Sequence, residues 1–206
     1  MLGAFPDEPV RTVLLLAANT GMRKSEIQGL LWRDFDGLTL HVEQTIVNGF
    51  SEQPKTDASK DAVPVNRQLR EALESHRKSM GQWARDGFPI FQSECHTPLN
   101  LANLVKRVIV PRLEACMVCG EQKSEHSPAT DHPYERNKTL PRWTGWHSFR
   151  RGVATSLHAA GVADGDIQGI PRHSDIHVTQ KSYKASHKPV ATRWTESGTG
   201  WNRKIP

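Results

Sequence analysis

The amino-acid sequence predicts an α+β domain that is mainly α-helical and contains a small antiparallel β-hairpin or sheet. Apolar residues recur at the three- and four-residue spacing of amphipathic helices in both halves of the 206-residue chain. Between these runs, Leu38–Glu43 alternates apolar and polar residues, as a half-exposed strand does. The predicted order is therefore helices, then a small sheet, then helices.

The first predicted helices are separated by a short break. Asp7 and Pro9 precede the apolar run Val10–Asn19, and proline is favoured in the first turn of a helix. The residues TGM at 20–22 end this run, and Ser25 is the expected cap of a short second helix with the sequence EIQGLLW.

The β-region and the next helices follow from turn residues and periodicity. The segment Val47–Val65 predicts a strand, a long polar turn and a second strand, and its Asn48-Gly49 pair is a turn signal as well. Helical spacing returns over 67–85, with a core-facing set of Leu69, Leu73 and Met80. It returns again over Leu99–Ala115, where Pro111 predicts a kink or a break.

The helix expected within Trp143–Val162 has an unusual first turn. Its apolar positions are regular, and Gly161 lies where a helix usually ends. Three cationic or protonatable side chains occupy its start, namely His147, Arg150 and Arg151. A helix N-terminus carries partial positive charge, so cations are mildly unfavourable there. An anion bound at this place would explain the arrangement. Two further short helices are expected over 163–170 and 178–184.

Composition bounds the class of protein. The formal net charge is +5 and the pI is near 9.3, which suits a polyanionic partner such as nucleic acid. No apolar run is long enough to span a bilayer, and the first residues do not resemble a secretory signal. Three cysteines are an odd number and indicate a reducing compartment rather than a disulfide framework. We therefore expect a cytoplasmic protein with no membrane partner.

A set of basic and nucleophilic residues lies at the ends of the predicted elements. It comprises Arg23, Lys55, His147, Arg150, His173 and Tyr183. Arginines grip the non-bridging oxygens of a phosphate, and a lysine can protonate a departing 5′ oxygen. A histidine can take the proton of a tyrosine, whose phenol is a weak nucleophile at neutral pH. This set suits phosphodiester transfer without a catalytic metal.

Three sequence blocks carry a family resemblance. The stretches TGMRKSEIQGLLW, HSFRRGVATSL and RHSDIHVTQKSY resemble the motifs of the tyrosine recombinases, also called phage-type integrases. The resemblance implies a catalytic domain over 1–185 and a C-terminal tail over 186–206. It also implies that the family's usual N-terminal core-binding domain is absent from this sequence. Pro171-Arg172-His173 stands where the family commonly has Leu-Gly-His.

The resemblance also implies a role for each member of the set. Arg23 and Arg150 would hold the scissile phosphate, with Glu26 as a supporting carboxylate. Lys55, or alternatively Lys60, would be the general acid. His147 would accept the proton of the nucleophile, and His173 would hydrogen-bond the phosphate. Tyr183 would be the nucleophile and form a 3′-phosphotyrosyl link.

The polar segment 116–141 predicts a separate, zinc-knuckle-like insertion. Cys116 and Cys119 have the spacing of a zinc knuckle, and His126 and His132 follow at distances that can complete a Cys₂His₂ site. Such a zinc would be structural, because four protein ligands leave no open position. The alternative is a disordered loop with two incidental thiols.

Three functions remain open at this level. The first is a site-specific recombinase that acts on double-stranded DNA, assembles as a tetramer on paired sites and needs no catalytic cofactor. The second is a type IB topoisomerase-like nicking and closing enzyme. The third is an inactive, zinc-stabilised DNA-binding remnant of an integrase. The expected setting is the cytoplasm of a bacterium or of a phage-infected cell, close to the nucleoid.

Overall fold

The computed structural model describes residues 2–52, 62–127, 131–163, 165 and 167. Its helices are α1 (Val10–Thr20), α2 (Lys24–Gly29), α3 (Arg67–Met80), α4 (Leu101–Leu104), α5 (Val110–Leu113) and α6 (His147–Ala159). A π-helical turn, Val105–Ile109, joins α4 to α5. Among the described residues, short 3₁₀ helices lie at Leu2–Ala4, Trp32–Asp34 and Gly81–Trp83. The strands are β1 (Thr39–Leu40), β2 (Thr45–Val47), β3 (Phe50–Glu52) and β4 (Val63–Pro64).

Helix α1 lies in the hydrophobic core and packs against α3 and α6. Val13, Leu14 and Leu16 are completely buried, because the run of apolar residues covers most of the helix surface. The helix ends at Gly21, whose φ of 61° is the left-handed conformation that favours glycine. A side chain at this position would begin 3.4 Å from the Cα atom of Arg150, so α6 passes directly over the end of α1.

Helix α2 begins earlier than the sequence predicts. Its N-cap is Arg23 rather than Ser25, and the carboxylate of Glu26 accepts a hydrogen bond from the Arg23 backbone N–H at 2.7 Å. That bond satisfies a backbone donor that the helix itself leaves unpaired, and it fixes the start of the helix at Lys24.

The β-region consists of two separate antiparallel pairs. Strand β1 pairs with β4, and β2 pairs with β3. The turn signal at Asn48-Gly49 is confirmed, since the chain reverses there between β2 and β3. Both residues have positive φ, 51° and 86°, which two-residue hairpin turns of the primed types require. The long polar turn that was also expected within 47–65 falls mostly on residues that the structure does not describe. Residues 53–61, which include Lys55 and Lys60, lie outside the described residues.

Pro111 changes the hydrogen bonding of its helix without ending it. The helical path continues from Leu101 to Leu113 through the π-helical turn. The backbone N–H of Val110 donates to the carbonyl of Val105, five residues earlier, and Pro111 has no N–H to donate. The expected break is thus replaced by a wider turn immediately before the proline.

Helix α6 confirms the helix that was expected around residue 150. It begins at His147 and is followed by Gly161 with a φ of 81°. The helices expected over 163–170 and 178–184, together with His173, Tyr183 and the tail, fall on residues that are largely or wholly outside the described ones. Among the helices of the described ranges, none combines the length and the apolar content that a bilayer crossing requires.

Candidate active site and metal-binding group

A cavity of about 480 Å³ lies between the start of α2 and the start of α6. Three of the residues predicted for catalysis line it together, although they are far apart in sequence: Arg23, His147 and Arg150. Its other lining residues are Met22, Lys24, Ser25, Thr144, Gly145 and Trp146. The fold therefore brings the TGMRKSE and HSFRR motifs to one place.

Arg23 is held by the carboxylate of Glu26. The guanidinium Nη1 and the Glu26 Oε1 are 2.7 Å apart, and the other carboxylate oxygen accepts the Arg23 backbone N–H. Glu26 is 1% exposed, whereas the Arg23 side chain is 38% exposed. The buried acid thus orients an arginine whose side chain stays accessible at the cavity wall.

Arg150 has a different environment. It is 4% exposed, and its Nη1 donates to the Gly21 carbonyl at 3.0 Å. This carbonyl lies at the C-terminus of α1, where the helix dipole favours a cation. Burial of a guanidinium is costly unless charge and hydrogen bonds compensate for it. The Gly21 carbonyl at the end of α1 contributes to that compensation, and an anion in the adjoining cavity would add to it.

His147 is the first residue of α6, and an aromatic cluster supports it. Trp143, Trp146 and Phe149 form this cluster, with ring centroids 5.2 to 6.0 Å apart. All three pack against the hydrophobic core. The histidine therefore projects from a backbone that large side chains hold in place.

The charged side chains that line the cavity are all basic. Arg23, Lys24 and Arg150 are cations, His147 can become one, and no carboxylate is among the described residues that line the cavity. Lys24 was not identified from the sequence, although its position next to Arg23 was the available signal. Such a cluster suits a phosphodiester, whose oxygens accept several charge-assisted hydrogen bonds at once. The remaining predicted members, Lys55, His173 and Tyr183, lie outside the described residues.

The four predicted metal ligands also come together. The ligand atoms of Cys116, Cys119, His126 and His132 all lie within 4.8 Å of one another. The Nε2 atom of His132 is 3.4 Å from the Cys116 sulfur and 3.2 Å from the Nε2 atom of His126. Metal–nitrogen bonds of about 2.0–2.1 Å place two ligand nitrogens roughly 3.3 Å apart in a tetrahedral site. The spacing fits a Cys₂His₂ zinc site.

Neighbouring groups orient His132 and favour the thiolate form of Cys116. The Asp131 carboxylate lies 2.7 Å from Nδ1 of His132, which orients the ring and directs Nε2 towards the other ligands. Backbone N–H groups of Val118 and Cys119 hydrogen-bond to the Cys116 sulfur. Burial raises the pKa of Cys116, but these bonds, one from the Glu135 backbone and the contact with His132 outweigh it and lower the pKa to about 5. The side chains therefore form a group that can bind a metal ion.

Comparison with known proteins identifies the fold. No protein-family model and no curated protein sequence matches the chain. The Tn1549 transposon integrase in complex with circular intermediate DNA has a similar structure, with a TM-score of 0.63 and 22% identity over 86% of this chain and 57% of that one. XerA recombinase gives a TM-score of 0.61 and 19% identity over 88% and 54% of the two chains. A lambda integrase dimer bound to a core site gives 0.52 and 16% over 99% and 59%.

The chain thus spans just over half of the length of each of these proteins. The helix-rich architecture with a small antiparallel β-region that the sequence predicted is confirmed. The similarity in structure extends over most of this chain. The chain has the catalytic-domain fold of the tyrosine recombinases.

Proposed function

We propose that this chain is the catalytic domain of a site-specific DNA recombinase that cleaves and rejoins strands through a 3′-phosphotyrosyl intermediate. One observation carries the proposal: Arg23, His147 and Arg150 line a single cavity whose charged lining residues are all basic. This is the arrangement that the motif order of the sequence demands, in a fold shared with integrases.

The chemistry assigns one task to each group. Arg23 and Arg150 hold the non-bridging oxygens of the scissile phosphate and stabilise the charge that builds on them. The Tyr183 oxygen bonds to phosphorus and gives its proton to His147. The bond from phosphorus to the 5′ oxygen then breaks, and Lys55 supplies the proton to the departing oxygen. The reverse reaction with the 5′ hydroxyl of another strand rejoins the backbone. Neither half-reaction needs a cofactor.

The partner in this proposal is double-stranded DNA. Its support is the basic cavity, the net charge of +5 and the DNA complexes in which the Tn1549 and lambda integrases were captured. Strand exchange between two duplexes needs four active sites, so the active species is a tetramer on paired sites. The setting is the cytoplasm of a bacterium or of a phage-infected cell.

Trapping the covalent intermediate tests the activity. The protein is incubated with a duplex that contains a nick near the cleavage position, and the mixture is then denatured. The nick allows the short fragment that bears the new 5′ hydroxyl to diffuse away, so that rejoining is prevented. Wild type is expected to retain DNA covalently, and Tyr183→Phe is expected to retain none while it binds DNA normally. Tyr134→Phe is the matched control, because Tyr134 is the only other tyrosine and donates to the Glu114 carbonyl away from the cavity.

Two results would contradict the proposal. Adduct in Tyr183→Phe would exclude this nucleophile, and absence of adduct on every DNA tested would exclude the activity. Relaxation of supercoiled plasmid without any exchange between duplexes would instead indicate the nicking and closing reaction.

We also propose that the Cys116–His132 group binds one structural zinc ion. Support comes from the convergence of two thiols and two imidazoles and from the orienting contact of Asp131 with His132. Zinc bound per chain is expected to be near one in wild type and to fall strongly in Cys119→Ser. Cys95→Ser is the control, because Cys95 is exposed and lies outside the group. Equal zinc content in all three proteins would refute the site.

A further inference from the structure

We infer that the metal group also acts on the chemistry, because it fixes the segment that positions His147. The inference rests on the proposed recombinase function and goes beyond it: a site away from the cavity would control the rate of DNA cleavage. Cys116 and His132 are positioning residues in this scheme, and His147 is the residue through which they act.

The segment that leads into α6 has little burial of its own. Among the described residues between Cys116 and Trp146, Cys116 is the only buried one. A chain that buries so little apolar surface does not offset the entropy of ordering its backbone. A tetrahedral metal site can supply this free energy, as it does in small zinc-stabilised domains.

Hydrogen bonds connect the metal group to the return of the chain. The Met117 N–H donates to the Glu135 carbonyl at 2.7 Å, and the Asn137 N–H donates to the Ala115 carbonyl at 3.1 Å. These bonds form a short antiparallel pairing centred on Cys116 and Arg136. A metal bound to Cys116 and His132 would hold both sides of this pairing together.

Beyond this pairing, the chain from Arg136 to His147 leads to the cavity wall. Arg136 donates to the Leu140 carbonyl at 2.6 Å, and Leu140 packs against the hydrophobic core. Trp143 and Trp146 then join the aromatic cluster, and Thr144 to His147 line the cavity. The first turn of α6 is fixed locally by the Ser148 N–H, which donates to the Gly145 carbonyl at 3.1 Å. Contacts from Cys116 to Leu140, the chain from Leu140 to Trp143, and the aromatic cluster thus connect the metal group with His147.

The size of the effect follows from the demands of proton transfer. A general base must lie within hydrogen-bond reach of the proton that it takes. Displacement of a catalytic group by 1 Å costs about 100-fold in rate, and loss of supporting groups around a metal typically costs about 10- to 100-fold in activity or affinity. We expect removal of the metal to slow cleavage by about 10- to 100-fold and to change the DNA dissociation constant by less than about threefold, since the arginines stay in place.

The experiment compares four states of the full chain: zinc-loaded wild type, chelated wild type, Cys119→Ser and the control Cys95→Ser. Each is measured for single-turnover formation of the covalent adduct at saturating nicked DNA and for DNA affinity. Amide hydrogen exchange is measured at residues 143–149, with α3 as the reference for global folding. Chelation and Cys119→Ser are expected to slow cleavage, to speed exchange at 143–149 and to leave α3 unchanged, and added zinc should restore the chelated protein.

The decisive variant is His147→Gln, measured with and without zinc. If the metal acts through His147, the residual cleavage of this variant is insensitive to zinc. A zinc effect of the same size as in wild type would overturn the inference, and so would exchange at 143–149 that chelation leaves unchanged. If Cys119→Ser unfolds, the same measurements are made on Asp131→Asn. The Asp131 carboxylate is exposed and contacts Nδ1 of His132, the ring nitrogen that faces away from the other ligands. A protein that forms no adduct in any state refutes the recombinase function, and hydrogen exchange still decides whether the metal orders the segment.

Discussion

Two arginines that serve the same proposed phosphate differ in what they contribute to folding. Arg150 is buried against the end of α1 and donates to the Gly21 carbonyl, whereas Arg23 is partly exposed and pairs with Glu26. We predict that Arg150→Ala lowers the free energy of unfolding by about 2 kcal/mol, because it leaves a buried acceptor without its donor. In Arg23→Ala the buried Glu26 carboxylate keeps its hydrogen bond from the backbone N–H of residue 23, and the side chain that is lost is partly exposed, so the expected cost is smaller, about 1 kcal/mol. Urea unfolding measures both, and equal losses would contradict the difference in environment.

Two aspartates near β1 are predicted to have opposite effects on stability as the pH changes. Burial raises the pKa of Asp34, against the opposing bond from the Leu31 N–H. Bonds from the N–H groups of Leu38 and Thr39 and from His41 lower the pKa of Asp36. A raised pKa in the folded state means that the contribution of Asp34 is largest below its unfolded pKa and is lost as the pH rises through the folded one. The contribution of Asp36 is present above its unfolded pKa and is lost as the pH falls.

The test is the stability of the two asparagine variants relative to wild type between about pH 3 and pH 6. As the pH rises, Asp34→Asn should become more stable relative to wild type, and Asp36→Asn should become less stable relative to wild type. Thermal melts at several pH values report both trends. Parallel curves for the two variants would show that these carboxylates do not titrate as their surroundings indicate.

At the scale of elements, the hairpin β2–β3 depends on a close approach to α2. A Cβ atom at Gly29 would lie 2.5 Å from the Gln44 carbonyl oxygen, and the Gln44 side chain also donates to the Gly29 carbonyl at 2.9 Å. We predict that Gly29→Ala displaces the hairpin and costs about 1–3 kcal/mol, as overpacking does. The matched control is Gly152→Ala within α6, where a Cβ atom meets nothing within 4 Å. It should stabilise the helix by about 0.5–1 kcal/mol, and a loss of similar size in both variants would contradict the contact.

The spacing of apolar residues predicted the helices whose formation depends on packing. The exact helix ends, and the path of the chain at Pro111, depend instead on local hydrogen bonds of the backbone. The apolar spacing located α1, α3 and α6, because burial of one face dominates a helix of that length. The start of α2 was misplaced, since it is set by the hydrogen bond that the Glu26 carboxylate accepts from the Arg23 backbone N–H and not by the residue type at the cap. The helix across Pro111 continued because a π-helical turn removes the conflict that proline would create in a regular helix.

For the whole molecule, the motif order predicted that Arg23, His147 and Arg150 meet, although no local pattern states a distance. Arg23 and Arg150 are brought together by the packing of α1 against α6, with glycine at position 21 allowing the approach. The sequence did not indicate that one arginine would be buried and the other exposed. It also gave no sign of the hydrogen bonds that lead from Cys116 towards the aromatic cluster, since most of them are made by backbone groups that every residue possesses.

The charge of the cavity leads to a prediction about the association of the whole chain with DNA. Each phosphate that a lysine or arginine neutralises releases condensed counterions, so the logarithm of affinity falls with the logarithm of salt concentration by about 0.9 per contact. Lys24 lines the cavity beside Arg23, whereas Lys78 lies in the last turn of α3 and is not among the cavity-lining residues. Lys24→Ala should therefore reduce the slope by about 1, and Lys78→Ala should leave it unchanged. Titrations of a fluorescent duplex at several salt concentrations give both slopes. An equal change of slope in the two variants would mean that DNA is attracted by net charge alone. An unchanged slope in Lys24→Ala would place the DNA backbone away from this cavity.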